Sequence, residues 1–196
     1  MYEVDENDRV VELEEIPQSS IGAPLPVVLA NEGLVVLAYY LENRDPDWDG
    51  KTVRMLDADS SDEPIAIVRF QRCLSHMFGP PNDEAFSGHP LAMRGLSAYG
   101  VFRVDNSSWL RKLERMNRVH PNHRPERFWE LQHIVFAFHD STFECICKEF
   151  NLRIRSGAIH NMLPEMVRLL KSNATQLLEA YSCLIKVNSI HAHPRH

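Results

Sequence analysis

The stretch LQHIVFAFHDSTFECICK, residues 131–148, decides the fold. Ile134, Phe136 and Phe138 alternate with His133, Val135, Ala137 and His139. After Asp140 and Ser141, Phe143, Cys145 and Cys147 alternate with Glu144, Ile146 and Lys148. A period of two is the period of a β-strand. Folded as a hairpin with Phe138 opposite Phe143, Phe136 opposite Cys145 and Ile134 opposite Cys147, the stretch has one wholly apolar face. The other face carries His133, His139, Thr142, Glu144 and Lys148. A three-residue loop would set apolar against polar side chains and is disfavoured. Asp140 and Ser141 lack the glycine of a tight primed turn, so a four-residue loop over 139–142 is expected.

Upstream, Leu25–Ala30 and Leu34–Leu41 read as a second hairpin. A three-residue loop, Asn31 to Gly33, sets Ala30 opposite Leu34, Val28 opposite Val36 and Val27 opposite Leu37. Both faces of this hairpin are apolar, so both need cover. Pro24 and Pro26 cannot donate to a ladder, which puts its first strand at an edge. Further strands are expected at 52–56, at 65–70 running toward 74, and at 99–104. Residues 75–96, rich in Gly and Pro, read as one long irregular loop, a length that marks function or disorder.

Ser107–Val119 reads as a helix capped by Asn106 or Ser107 and stopped by Pro121. Trp109, Leu110, Leu113 and Met116 share one face; Arg111, Lys112, Arg115 and Arg118 lie on the other. At the C-terminal end Leu163, Val167, Leu170, Ala174, Leu177, Tyr181 and Leu184 step by fours and threes, a heptad seam. Met166, Leu169, Leu178 and Ile185 widen that stripe, which favours packing on the domain's own sheet over a homodimeric coiled coil. The expected fold is α+β: a mainly antiparallel sheet of five to seven strands, packed by the mid-chain helix and a long C-terminal helix. The expected division is a polar segment at 1–23 that is mobile or adds an edge strand, an α+β domain at 24–160, the helix at 161–190 and a frayed tail at 191–196.

Bulk composition narrows the function classes. No apolar run approaches the ~18–20 residues of a membrane helix, and the acidic start lacks the basic, then apolar, pattern of a secretory signal. A cytoplasmic protein is expected. Four cysteines at irregular spacing make no disulfide scaffold or zinc motif, and buried reduced thiols are expected. The net charge of -6 disfavours nucleic acid and anionic membranes. The charge is uneven, however. Acids crowd residues 1–15 and 42–63, while Arg111, Lys112, Arg115, Arg118, Arg124 and Arg127 crowd 111–127.

There is no GxGxxG, P-loop, GxSxG or HExxH. The candidate site is a convergence of the hairpin end with the long loop. If the loop folds over the hairpin, His139, Asp140 and Glu144 meet Asp83, Glu84 and His89. Such a set suits acid–base catalysis by His139, Asp140, Glu144 and His89, or a divalent metal on His89, His139 and Asp140. The plainer alternative is a turn whose Asp140 and Ser141 bond loop amides, with Glu144 a solvated strand residue. Asp83, Glu84, Arg111, Arg115 and Arg118 are the candidates for contacting a ligand or partner.

The Gly79–Glu84 run, Gly88-His89-Pro90-Leu91, the Asn106–Trp109 segment and the Phe138–Cys145 hairpin resemble a group of bacterial proteins that have no assigned function. The resemblance covers roughly the middle third of the chain. It implies a bacterial-type cytoplasmic protein and assigns no activity, cofactor or site residue. Three functions follow from the residues, in this order: a binding or interaction module with a protein or small-molecule partner; a metal-dependent or acid–base hydrolase; and anion or nucleic-acid binding through 111–127. No cofactor is indicated.

Overall fold

The 131–148 stretch folds as an antiparallel hairpin and sits in the middle of a sheet. The computed structural model describes residues 2–43, 51 and 56–171. In chain order the strands are β1 (Arg9–Glu12), β2 (Val27–Ala30), β3 (Leu34–Tyr40), β4 (Glu63–Gln71), β5 (Ser75–Gly79), β6 (Val101–Asp105), β7 (Gln132–Ala137), β8 (Thr142–Cys147) and β9 (Glu149–Gly157). Two helices, α1 (Ser108–Asn117) and α2 (Glu126–Trp129), lie between β6 and β7. Residues 163–171 are also helical. The strand expected over 52–56 falls, all but Leu56, outside the described residues. So do the heptad seam past 171 and the histidine tail. Among the described residues no helix is long and apolar enough to cross a membrane.

The α+β class holds, but the expected five to seven strands become nine among the described residues. They form two antiparallel sheets, ordered β1-β6-β7-β8-β5 and β2-β3-β4-β9. Period-two alternation explains why two sheets are needed. Val35, Leu37 and Tyr39 of β3 and Ala66, Val68 and Phe70 of β4 pack against Ile134, Phe136, Phe138, Phe143, Cys145 and Cys147 of the other sheet. The opposite face of β3 and β4 is equally apolar. Val36, Ala38, Tyr40, Ile65 and Ile67 pack under Ile159, Met166 and Leu169. Both faces of β3 are therefore covered, as its composition demands. The outer face of the five-stranded sheet (Phe102, Val104, Val135, Ala137, Ile146) packs under Tyr2, Phe86, Leu91, Leu96 and Trp109.

The two expected registers are each displaced. β7 and β8 pair Phe136 with Phe143 and Ile134 with Cys145. This is two residues from the expected register, so every side chain keeps its face. The loop is 138–141, closed by the Phe138 N–H on the Ser141 carbonyl at 2.9 Å. β2 and β3 pair Ala30 with Val35 and Val28 with Leu37, one residue away from the expected register. Here the Asn31 side chain decides. Its Oδ1 accepts the Gly33 and Leu34 N–H groups at 3.0 and 2.9 Å, which makes the loop four residues long.

β4–β5 and β8–β9 form one long ribbon that runs through both sheets. At the crossing, residues 72–74 stand opposite only 147 and 148, a β-bulge that turns the ribbon from one sheet to the other. Arg72 takes the left-handed conformation there, with φ 50°. β5 lies within the stretch expected to be irregular, and β9 was not among the expected strands. The N-terminal segment is tied down: Tyr2 is buried, and β1 pairs with β6 at the sheet edge.

Phe136 is the centre of the inner core. Its ring lies 5.8 Å from Tyr39 and Phe70 and 6.1 Å from Phe138 and Phe143, centroid to centroid. Among the described residues the Tyr39 hydroxyl, buried among these rings, has no hydrogen-bond partner. Tyr39→Phe is therefore expected to leave stability unchanged or to raise it by about 1 kcal/mol. Phe136→Ala is expected to cost ~3–5 kcal/mol. Urea unfolding of both variants checks the pair.

Candidate functional site

The 75–96 loop does close over the β7–β8 hairpin. The Asp83 N–H bonds the His139 carbonyl at 2.9 Å, and the Thr142 hydroxyl bonds the Pro81 carbonyl at 3.0 Å. The titratable residues brought in by this closure divide into two separate groups.

The first group is buried and centred on Glu144. Glu144 projects from the outer face of β8 into the core under α1, not into solvent. Its Oε1 lies 3.1 Å from His89 Nε2, and its Oε2 lies 2.9 Å from His133 Nε2 and 2.6 Å from the Tyr2 hydroxyl. The other ring nitrogens fix the proton positions. His89 Nδ1 accepts the Leu91 N–H at 3.1 Å, so its Nε2 donates. The Ser107 hydroxyl accepts the Leu110 N–H as the cap of α1 and gives its hydrogen to His133 Nδ1 at 2.9 Å, so His133 Nε2 also donates. Glu144 thus receives three hydrogen bonds. Burial alone would raise its pKa, but the bonds from His133 and His89 outweigh that and pull it down to about 2. Burial, then the neighbouring Glu144 charge, push the Tyr2 phenol far above its ordinary range, so it remains a donor. Trp109 stacks on Tyr2 at 5.4 Å and meets the His133 ring edge-on at 5.1 Å.

The second group lies on the rim. His139 Nδ1 is 3.0 Å from both Asp83 Oδ2 and the Tyr99 hydroxyl, and that hydroxyl donates to Asp83. The hydrogen bond from Tyr99 lowers the Asp83 pKa, and the same bond pushes Tyr99 up to about 12. Tyr99 holds a positive φ of 64°, a strained backbone for a non-glycine residue. His139 Nε2 points toward Asp140, 3.9 Å away, and the His139 side chain is 37% exposed.

A third feature is the basic helix. Arg111, Arg115 and Arg118 form a ridge at helical spacing on α1 and its C-cap. On one side lies a groove of about 830 Å³, walled by Leu110, Glu114, Arg118, His123, Phe128 and Trp129. Glu114 takes both Arg118 at 2.7 Å and His123 at 2.9 Å. Trp129 is 76% exposed on the groove wall, and Met116 and Val119 are also exposed. At the start of the helix the chain's own acids bind it: Asp5 pairs with Arg111, and Asp8 accepts the Ser108 N–H at 2.7 Å.

The six residues expected to converge are therefore divided. His89 and Glu144 belong to the buried group, and Glu144 is not the solvated residue of the plainer reading. Asp83, His139 and Asp140 meet on the rim, and Glu84 is exposed beside them. The metal set His89, His139 and Asp140 is not assembled: among the described residues no three His, Cys, Asp or Glu side chains are placed to hold an ion. Tyr2, Tyr99, His133, Ser107 and Trp129 were not among the candidates. Of these, His133 had a signal in its place on the Glu144 face of the hairpin, and Ser107 had one in its reading as the helix cap.

Glu144 carries a stability signature. Its folded pKa is depressed, so its contribution is complete above the unfolded value of about 4.3 and is lost as pH falls through about 2. That contribution is on the order of 3 kcal/mol. Glu144→Gln is expected to be less stable at pH 7 by ~2–4 kcal/mol, because one amide oxygen cannot accept three donors. Its stability should also be flatter than wild type between pH 4.3 and 2. Urea unfolding across that window reads both effects. No protein-family model, curated protein or solved structure matches this chain.

Proposed function

We propose that the protein is a binding module that takes an acidic protein segment along the basic ridge of α1, with an apolar anchor set against Trp129. The observation that carries this reading is Trp129, three-quarters exposed on the wall of a groove beside a helix face of arginines. Exposed tryptophan with arginine is the composition of an interface hot spot. Arg111 and Arg118 line the same groove as Trp129, while Lys112, Arg115 and Met116 line a second depression on the helix beside residues 3–5. The chain's own Asp5 and Asp8 show how a carboxylate is received at this helix.

Synthetic acidic peptides bearing one large apolar residue are the probe, titrated by fluorescence anisotropy. Trp129→Ala is expected to weaken binding by about tenfold or more. Arg115→Glu is expected to weaken it and to reduce its salt dependence. Equal affinity for Trp129→Ala, or binding of an oligonucleotide in preference to every acidic peptide, overturns the reading.

A second reading is supported by the rim group. Asp83 receives Nδ1 of His139 and leaves Nε2 outward, the arrangement of an oriented general base. On this reading the protein is an acid–base hydrolase. Hydrolysis of activated esters that is lost in His139→Ala and impaired in Asp83→Asn supports it. Turnover that survives His139→Ala removes it.

A further inference from the structure

The outer edge of the four-stranded sheet is used by neither reading. β9 pairs with β4 alone and is the last strand of its sheet. The other edge strands are short. β1, β2 and β5 span four or five residues, whereas β9 spans nine and contains no proline. A long open edge is a template for another strand.

The ladder shows which groups of β9 face outward. The Leu41 N–H donates to the Pro64 carbonyl at 2.9 Å, so Pro64 turns its carbonyl toward β3. The direction alternates along an antiparallel strand. In β4, Ile65, Ile67, Arg69 and Gln71 therefore bond their partners in β9, which are Arg155, Arg153, Asn151 and Glu149. The N–H and C=O groups of Phe150, Leu152 and Ile154 are left pointing to the open edge. Among the described residues no backbone group meets them. The Ile154 carbonyl takes instead the guanidinium of its neighbour Arg155, at 3.0 Å. The Gln132 side chain occupies the Lys148 carbonyl at 3.1 Å, so the edge is open from Glu149 onward.

We propose that a second copy of this chain pairs with that edge, β9 against β9, antiparallel about a two-fold axis at Leu152. In this register the strand is complementary to itself. Leu152 meets its own copy and exchanges both hydrogen bonds with it. Phe150 meets Ile154, an aromatic side chain on a β-branched one, on the face that continues the inner core. Ile154, half exposed in the single chain, is thereby covered. On the opposite face Glu149 meets Arg155 and Asn151 meets Arg153. These are the pairs without mutual hydrogen bonds, where side chains approach most closely.

Opposite charges therefore face each other at both ends of the ladder. Arg155 also holds Glu165 of its own chain at 2.8 Å, which keeps its guanidinium on that face. Other registers lose this match. An axis at Arg153 sets that arginine against its own copy. An axis at Asn151 shortens the ladder and leaves Ile154 uncovered. The surface is separate from the Trp129 groove, so the proposal stands whether or not an acidic peptide binds at α1.

Sedimentation of the full chain from low to high micromolar concentration is expected to show a reversible shift from one chain to two. Amide exchange followed by NMR is the sharper reading. With rising concentration the Phe150, Leu152 and Ile154 amides are expected to gain protection, while those of Asn151, Arg153 and Arg155, bonded to β4, are protected throughout. Ile154→Pro removes an outward N–H and no bond to β4, and Glu149→Arg sets like charges opposite. Each is expected to weaken the dimer by about tenfold or more. A chain that stays single across the range overturns the proposal and leaves Arg153 and Arg155 as guards of the edge. It is also overturned by a dimer that both variants leave intact, which would lie on another surface. The exchange pattern is read on the wild-type chain and Glu149→Arg alters an exposed side chain, so the test stands even if Ile154→Pro does not fold.

Discussion

One buried carboxylate organises the outer layer of the five-stranded sheet. Removing an ion from water costs several kcal/mol, and among the described residues no lysine or arginine pairs with Glu144 to offset it. The charge is tolerable because three hydrogen-bond donors surround it. Each donor comes from a different part of the chain: Tyr2 from the start, His89 from the long loop and His133 from β7. The requirement spreads further. His133 needs Ser107, Ser107 caps α1, and the first turn of α1 is also held by Asp8. Satisfying one ion thus fixes the entry of the chain, the closure of the loop and the position of the helix.

The inner core obeys a different constraint. Its residues are nearly all apolar, and its order comes from strand alternation and ring packing. The two sheets are joined by continuous strands, and the bulge at 72–74 is where the ribbon changes sheet. That corner concentrates unlike features. A left-handed Arg72, an inward Cys73 and the ion pairs of Arg72 and Lys148 with Glu130 all lie within a few residues. The corner links the sandwich to the 125–131 segment, and Phe128 and Leu131 line both the Trp129 groove and the Cys73 depression. The proposed binding surface and the bulge are therefore neighbours through shared walls.

The faces of the β7–β8 hairpin were legible because its register moved by an even number of residues, which leaves each side chain on its face. The β2–β3 register was not, because a side-chain oxygen of Asn31 lengthened the loop by one. β9 alternates Phe150, Leu152 and Ile154 with polar residues, yet it is an edge strand with Ile154 half exposed, and its signal is weaker than that of a central strand. The contact of Asp83 with His139 was legible as soon as the loop was supposed to close. Tyr2 was not, since nothing local marks a partner 142 residues away. Glu144 and His133 read as a polar face because polar residues are usually solvated. A second layer of residues covering that face appears only in three dimensions.

The two groups of histidines and carboxylates differ in what their atoms have left to offer. In His89 and His133 both ring nitrogens are engaged, one to Glu144 and the other to Leu91 N–H or Ser107. Neither ring has a free lone pair for a metal or a substrate proton without giving up a bond that supports the fold. Glu144 likewise spends both oxygens on three donors. His139 is different: Nδ1 is held by Asp83 and Tyr99, while Nε2 has Asp140 at 3.9 Å on an exposed rim. Residue type alone ranked His89 with His139 and left His133 on a polar face. Counting the bonds at each nitrogen separates a structural pair from the one histidine of the three with an open position, and confines any proton chemistry here to the rim.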